Sequence, residues 1–229
     1  MSDIQLKGGT VTADARLDRV EQFDERSRAF PVTAVIAGTV PRSYTWAGGT
    51  VTDQGREGAC VGHGWTGELT AKPRPVVLSA AAAYAQELYL HCQRVDEWPG
   101  EAYSGTSVIA GAKTLVERGF LTEYRWAFGL DDLIMAVGYK GPAVLGIPWY
   151  DSMYEAPGGK VTVAGNQVGG HCILARGVSL STKTVLLRNS WGSDWGVGGD
   201  ARISFADLDR LLKEGGEACI VTGRTAKTG

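Results

Sequence analysis

Four residues in this chain of 229 have side chains suited to nucleophilic catalysis, and each stands in a short, distinctive context. Cys60 closes DQGREGAC, His171 sits in GGHCILARGV, Asn189 lies in RNSWGSDWG, and Gln54 precedes Cys60 by six residues. A cysteine attacks carbonyl carbon as its thiolate, a form that a helix N-terminus or a nearby imidazolium stabilises. A histidine serves as a base when its other ring nitrogen is held in one tautomer by an acceptor. An asparagine side-chain oxygen is such an acceptor, and Trp191 and Trp195 beside Asn189 suit a shielded polar contact. A glutamine amide can donate to a developing oxyanion, and one donor of that kind contributes about 2.7–4 kcal/mol to rate. Singly, each residue has an ordinary use: the cysteine as a small buried hydrophobe, the histidine as a structural residue, the asparagine as a turn former. Coincidence does not readily produce the ordered set QG-x4-C, GGH and NSWG.

These segments, in the order Gln/Cys, His, Asn, resemble the papain-like cysteine peptidases from about Pro41 to about Val221. The resemblance implies that Cys60 is the nucleophile, His171 the general base and acid, Asn189 the residue that orients His171, and Gln54 an oxyanion donor beside the Cys60 backbone amide. Trp191 is then expected to keep water off the His171–Asn189 bond. The Ser104-Gly105 turn matches the place where the family binds extended substrate through backbone hydrogen bonds, and Gly170 precedes His171; all three are expected to touch substrate. The implied activity is a thiol peptidase acting on peptides or proteins through a Cys60 acyl-enzyme, with no cofactor. The same acyl-enzyme would also serve a transferase or an amidase, although cell-wall enzymes of related fold generally lack NSWG. A non-catalytic structural or binding protein, for example in a phage particle, is the third reading.

The chain also departs from the family pattern. His171 lies 111 residues and Asn189 129 residues after Cys60, both a little short of the family spacing of about 130–150. Glu57 stands where the family usually has a cysteine, and Val61 where it has an aromatic residue. These departures suggest a trimmed bacterial or bacteriophage type, without the usual pro-segment and active-site disulfide. His63, one helical turn after Cys60, is expected to pack within the helix. The spacing of Cys60, His63, His91–Cys92 and His171–Cys172 lacks the compact pairs of a structural zinc module, so no metal is expected.

The elements that must position these residues read as α+β: a helical lobe, then a β-barrel-like lobe, with the active site in the cleft between them. A helix is predicted after Cys60, a second through SAAAAYAQELYLHCQRV capped by Ser79, and a third through SVIAGAKTLVERG capped by Thr106 or Ser107 and ending at Gly119. Strands are expected at PAVLGI, at the segment opened by His171, at TVLLR and at ARISF, followed by a helix from near Asp207 to Gly215. Residues 1–40 form an N-terminal extension, 41–222 the peptidase-like domain and 223–229 a flexible tail. The extension shows no sustained helical periodicity. It is expected to be a surface strap, with a short self-inhibitory segment as the sharper alternative.

With 44% hydrophobic residues the chain can bury a full core. Its net charge of −2, from 23 basic and 25 acidic residues, gives no reason to invoke nucleic acid or an acidic membrane. No secretory leader or membrane-span pattern is seen. Cys92, Cys172 and Cys219 are an odd remainder once Cys60 is set aside, which fits a reducing cytoplasmic compartment. A virion association, with a phage or host protein partner, is compatible with the same composition.

Overall fold

The computed structural model describes residues 4–5, 11–12, 14–22, 24–96 and 104–225. The order begins with two short paired strands, β1 (Ile4–Gln5) and β2 (Val11–Thr12), then α1 (Thr33–Ile36) and β3 (Tyr44–Thr45). Three helices follow: α2 (Cys60–Thr70), α3 (Ala81–Val95) and α4 (Val108–Glu117). The second half contains β4 (Leu121–Ala127), α5 (Leu130–Tyr139), β5 (Ala143–Tyr150), β6 (Gln167–Ser179), β7 (Thr184–Arg188), β8 (Asp200–Ser204), α6 (Phe205–Lys213) and β9 (Glu217–Arg224).

The sheet has the order β4-β9-β5-β6-β7-β8, antiparallel throughout, with β3 added to β6. This is the expected α+β arrangement of a helical lobe and a β lobe, and the sheet of the β lobe is an open path that does not close on itself. Alternation along its strands builds two cores. Val144, Cys172, Leu174, Cys219 and Val221 pack with Val61, Trp65, Leu88 and Leu115 of the helical lobe. Leu145, Ile147, Ile173, Ala175, Ala218 and Ile220 pack on the other face, with Leu133 and Val137 of α5 and Leu208 and Leu211 of α6. Burial on both faces explains why PAVLGI reads as an unbroken apolar run.

Several element ends differ from the sequence reading. Ser107 does cap α4, accepting from the Ala110 amide, and Gly119 follows its end with φ +72°. Ser79 does not cap α3, whose N-cap is Ala80 with no side-chain bond. α6 starts at Phe205 because Ser204 caps it, with its oxygen accepting from the Asp207 amide. The His171 strand begins four residues earlier, at Gln167, so His171 lies within the strand rather than at its mouth. β4, α5 and β9 had no sequence expectation, and β9 runs through Gly223 and Arg224. Residues 226–229 of the expected tail lie outside the described residues.

Candidate active site

Cys60 is the first residue of α2, and no side chain caps that end of the helix. The amides of its first turn have no intrahelical acceptor, and the helix dipole at this end favours a negative sulfur. His171 projects from β6, opposite Ile147 of β5, and is fully buried. Its Nε2 donates to Asn189 Oδ1 at 2.7 Å. Asn189 follows β7 directly, and its loop is held from two sides. Its amide donates to the Gly199 carbonyl, while the preceding Arg188 grips both carboxylate oxygens of Asp200 at 2.8 Å. The rings of Trp149 and Trp191 lie 4.6 and 4.9 Å from the imidazole, centroid to centroid, and cover the His171–Asn189 bond.

Gln54 is tied to the asparagine loop as well. Its amide donates to the Ser190 carbonyl at 2.8 Å, its Oε1 accepts from Ser190 Oγ at 2.7 Å, and Asp53 bridges to Trp191. DQG and NSWG, 135 residues apart from Gln54 to Asn189, are thus one local structure. Sequence reasoning did not anticipate the part of Ser190, although it sits inside NSWG. His63 lines a small cavity together with Asn189 and Ser190; its Nδ1 lies 2.8 Å from Thr52 Oγ1, and burial lowers its pKa to about 4. Glu57 is exposed and Val61 is buried in the helical core.

The cleft is occupied by the chain's own N-terminal segment. Residues 16–20 run across it, with Leu17, Asp18, Arg19 and Val20 buried, so this part is no surface strap. Burying Leu17 and Val20 stabilises the seating by roughly 1.5–3 kcal/mol each. The segment takes up the expected substrate positions: the Arg19 amide donates to the Gly170 carbonyl at 3.2 Å, and the Val20 amide to the Thr106 carbonyl at 2.9 Å. Ser104 Oγ donates to Asp18 Oδ2 at 3.3 Å, and Gly105, with φ +100°, approaches so closely that a Cβ there would lie 2.3 Å from the Asp18 carbonyl oxygen. The Arg16 carbonyl accepts from Gln54 Nε2 at 3.3 Å and lies 3.3 Å from His171 Nδ1. Cys60 Sγ donates to Asp18 Oδ1 at 3.1 Å.

This arrangement holds the site in its uncharged form. Burial, reinforced by the adjoining Asp18 carboxyl, pushes the Cys60 thiol well above its ordinary value. Burial lowers His171 to about 4, against the opposing hydrogen bond that it donates to Asn189. Burial raises Asp18 to about 8, opposed by hydrogen bonds from Cys60, Tyr89 and Ser104. With its one proton on Nε2, the neutral imidazole turns a bare Nδ1 toward the Arg16 carbonyl, so that contact carries no proton. Asp18 and Arg19 were missed in the sequence because charged residues in a polar segment carry no sign of burial.

No family model matches the sequence, and no curated protein matches it. Solved structures do. Xylellain, a cysteine protease from Xylella fastidiosa, aligns with a TM-score of 0.69 at 16% identity, over 98% of this chain and 99% of that one. Digestive procathepsin L 3 of Tenebrio molitor larval midgut gives 0.60 at 18% identity, covering 91% of this chain and 75% of its own. The bromelain protease from Ananas comosus, in complex with the E64 inhibitor, gives 0.58 at 17% identity, covering 81% and 100%. At these identities the likeness is one of architecture, and the fold of this chain is that of the papain-like cysteine proteases.

Proposed function

We propose that this chain is a cysteine peptidase of a compact bacterial or phage type, held latent by its own residues 16–20. The observation that carries this reading is the convergence of Cys60, His171, Asn189 and Gln54, together with a peptide segment lying on three of them. Once the segment leaves, Cys60 gives its proton to His171 Nδ1, and the thiolate forms a bond to the carbonyl carbon of a substrate peptide. The oxyanion is held by Gln54 Nε2 and the Cys60 amide. Collapse breaks the C–N bond, and His171 delivers its proton to the leaving amine. Water then loses a proton to His171, adds to the thioester carbon, and the carboxylate product departs as the proton returns to sulfur. Asn189 keeps the imidazole plane fixed through both halves, behind the cover of Trp191.

The test is labelling with an epoxysuccinyl thiol inhibitor, read by intact mass on the full chain and on Arg19→Ala, whose segment is loosened. One adduct at Cys60 is expected, faster in Arg19→Ala and absent in Cys60→Ala. A folded Arg19→Ala protein that takes no label at neutral pH would exclude an enzyme. A labelled protein that cleaves no peptide library but passes acyl groups to amines would instead be a transferase.

A further inference from the structure

Asn189 has a polar atom that the candidate site leaves unused. Its Oδ1 accepts from His171 Nε2 at 2.7 Å and from the Ser190 amide at 2.8 Å. Its Nδ2 is buried and has no hydrogen-bond partner among the described residues, in a side chain whose residue is only 3% exposed. A buried amide donor costs stability unless something accepts from it. Asn189 lines a cavity of about 10 Å³, and so does His63 of α2, one helical turn after Cys60. Thr50, Thr52 and Ser190 are the hydroxyl residues of its wall. Arg188, also in the wall, is committed to Asp200 and to the Gly49 carbonyl. Such a volume is room for about one water molecule, which needs about two to four polar partners.

His63 supplies the acceptor. Burial lowers its pKa to about 4, against the raising influence of Asp53, so at neutral pH the ring is uncharged and carries one proton. Nδ1 lies 2.8 Å from Thr52 Oγ1, and among the described residues Nε2 has no partner. With the proton on Nδ1 and donated to the threonine hydroxyl, Nε2 is a bare acceptor. One water between the two side chains then accepts from Asn189 Nδ2 and donates to His63 Nε2. The chain of donors runs one way, from His171 Nε2 through the Asn189 amide and the water to His63 and Thr52. Turning the Asn189 amide over would set its NH2 group against two donors, His171 Nε2 and the Ser190 amide. The water holds the amide from its other end. It also joins the helix that carries Cys60 to the loop that orients His171.

We infer that His63 is a positioning residue for the reaction, which through one water in this cavity holds the Asn189 amide and with it the tautomer of His171. The inference rests on the peptidase reading for the word reaction, and on geometry alone for the link between the two histidines.

Spectroscopy and kinetics separate the two. The chain has three histidines, so nitrogen-15 labelling of histidine gives an imidazole spectrum that single substitutions assign. In the full-length protein at neutral pH, His63 is expected as the Nδ1–H tautomer and His171 as the Nε2–H tautomer. His63→Phe should speed exchange of the His171 Nε2 proton with water by about three- to tenfold, the range of one net hydrogen bond. His63→Gln, whose terminal amide offers an acceptor at the reach of Nε2, should restore the slow rate. Kinetics are read in Arg19→Ala, which loses the guanidinium bond to Glu217 at 2.7 Å and so loosens the segment in the cleft. There His63→Phe should lower kcat by about the same factor with KM within about twofold, and should cost nothing further once Asn189→Ala is present. A His63 ring with its proton on Nε2, a His171 exchange rate unmoved by His63→Phe, or an equal loss of kcat with and without Asn189→Ala would overturn the inference. The first of these is read on the unaltered chain, so the test does not depend on a variant folding. A chain that cleaves peptides equally fast with and without His63→Phe would sink the link and leave the peptidase standing. The expected tautomers and exchange rates in a chain that cleaves nothing would do the reverse.

Discussion

Replacing Asp18 by asparagine should uncouple the opening of the cleft from pH. In the closed state the Asp18 carboxyl is wholly buried against Cys60, Tyr89 and Ser104, and burial holds its pKa near 8. After the segment leaves, the carboxyl returns to water and to its ordinary value of 3.8. Its folded-state pKa is raised, so the closed state binds the proton more tightly. The Asp18 contribution to closure is complete below pH 3.8 and is lost as pH rises toward 8. His171 has the opposite tendency, since its closed-state pKa is lowered to about 4. That tendency acts in wild type and in Asp18→Asn alike, so it cancels in a comparison of the two. Between pH 6.5 and 8, pKa values of 3.8 and about 8 give an Asp18 contribution to opening that rises about fifteenfold by linkage. The assay is iodoacetamide alkylation of Cys60, followed by intact mass and peptide mapping, in wild type and in Asp18→Asn. Dividing the wild-type rate by the variant rate removes the thiolate's own pH dependence. The ratio should climb by about that factor, because the opening of the Asp18→Asn protein has no carboxyl to titrate. A ratio that is the same at pH 6.5 and 8 would refute the burial argument for Asp18.

Three other outcomes follow from the same geometry. Gly170→Ala places a methyl 2.6 Å from the Arg19 carbonyl oxygen, at a position with no backbone strain of its own. It should speed Cys60 alkylation at least about tenfold, a penalty of roughly 1.4 kcal/mol on closure, and an unchanged rate would place the segment elsewhere. Asn189→Ala removes the acceptor 2.7 Å from His171 Nε2. In an Arg19→Ala background it should lower kcat by about ten- to a hundredfold with KM little changed, since the lost bond orients the base rather than the substrate. Gln54→Ala should lower kcat by about 10²–10³ through the lost oxyanion donor. It should also lower the melting temperature, because Ser190 Oγ loses the oxygen it donates to at 2.7 Å; a variant with full kcat would remove Gln54 from the oxyanion site.

The parts of this protein that could be read in advance are those written in local sequence. Ser107 before an apolar stripe and Gly119 after it mark α4, because capping and left-handed termination involve residues a few positions apart. Strands buried on both faces were recognisable as short apolar runs, but their ends were not. β6 begins with Gln167, Val168 and two glycines, which have no apolar alternation to announce a strand. β9 escaped notice because Glu217 opens it with a charge that only a buried partner explains.

The sequence by itself determined which side chains gather at the candidate site. Cys60, His171, Asn189 and Gln54 each stand in a short string whose turns and helix start set the local geometry, and those strings survive in linear form. The tertiary structure alone decided what lies on them. Asp18 on Cys60, the Arg16 carbonyl on Gln54, and Arg19 in the space between Gly146 and Glu217 are contacts between residues 38 to 198 positions apart. Such contacts leave no periodicity in the chain, and a charged residue gives no sign that it will be buried until the partner that neutralises it is in place.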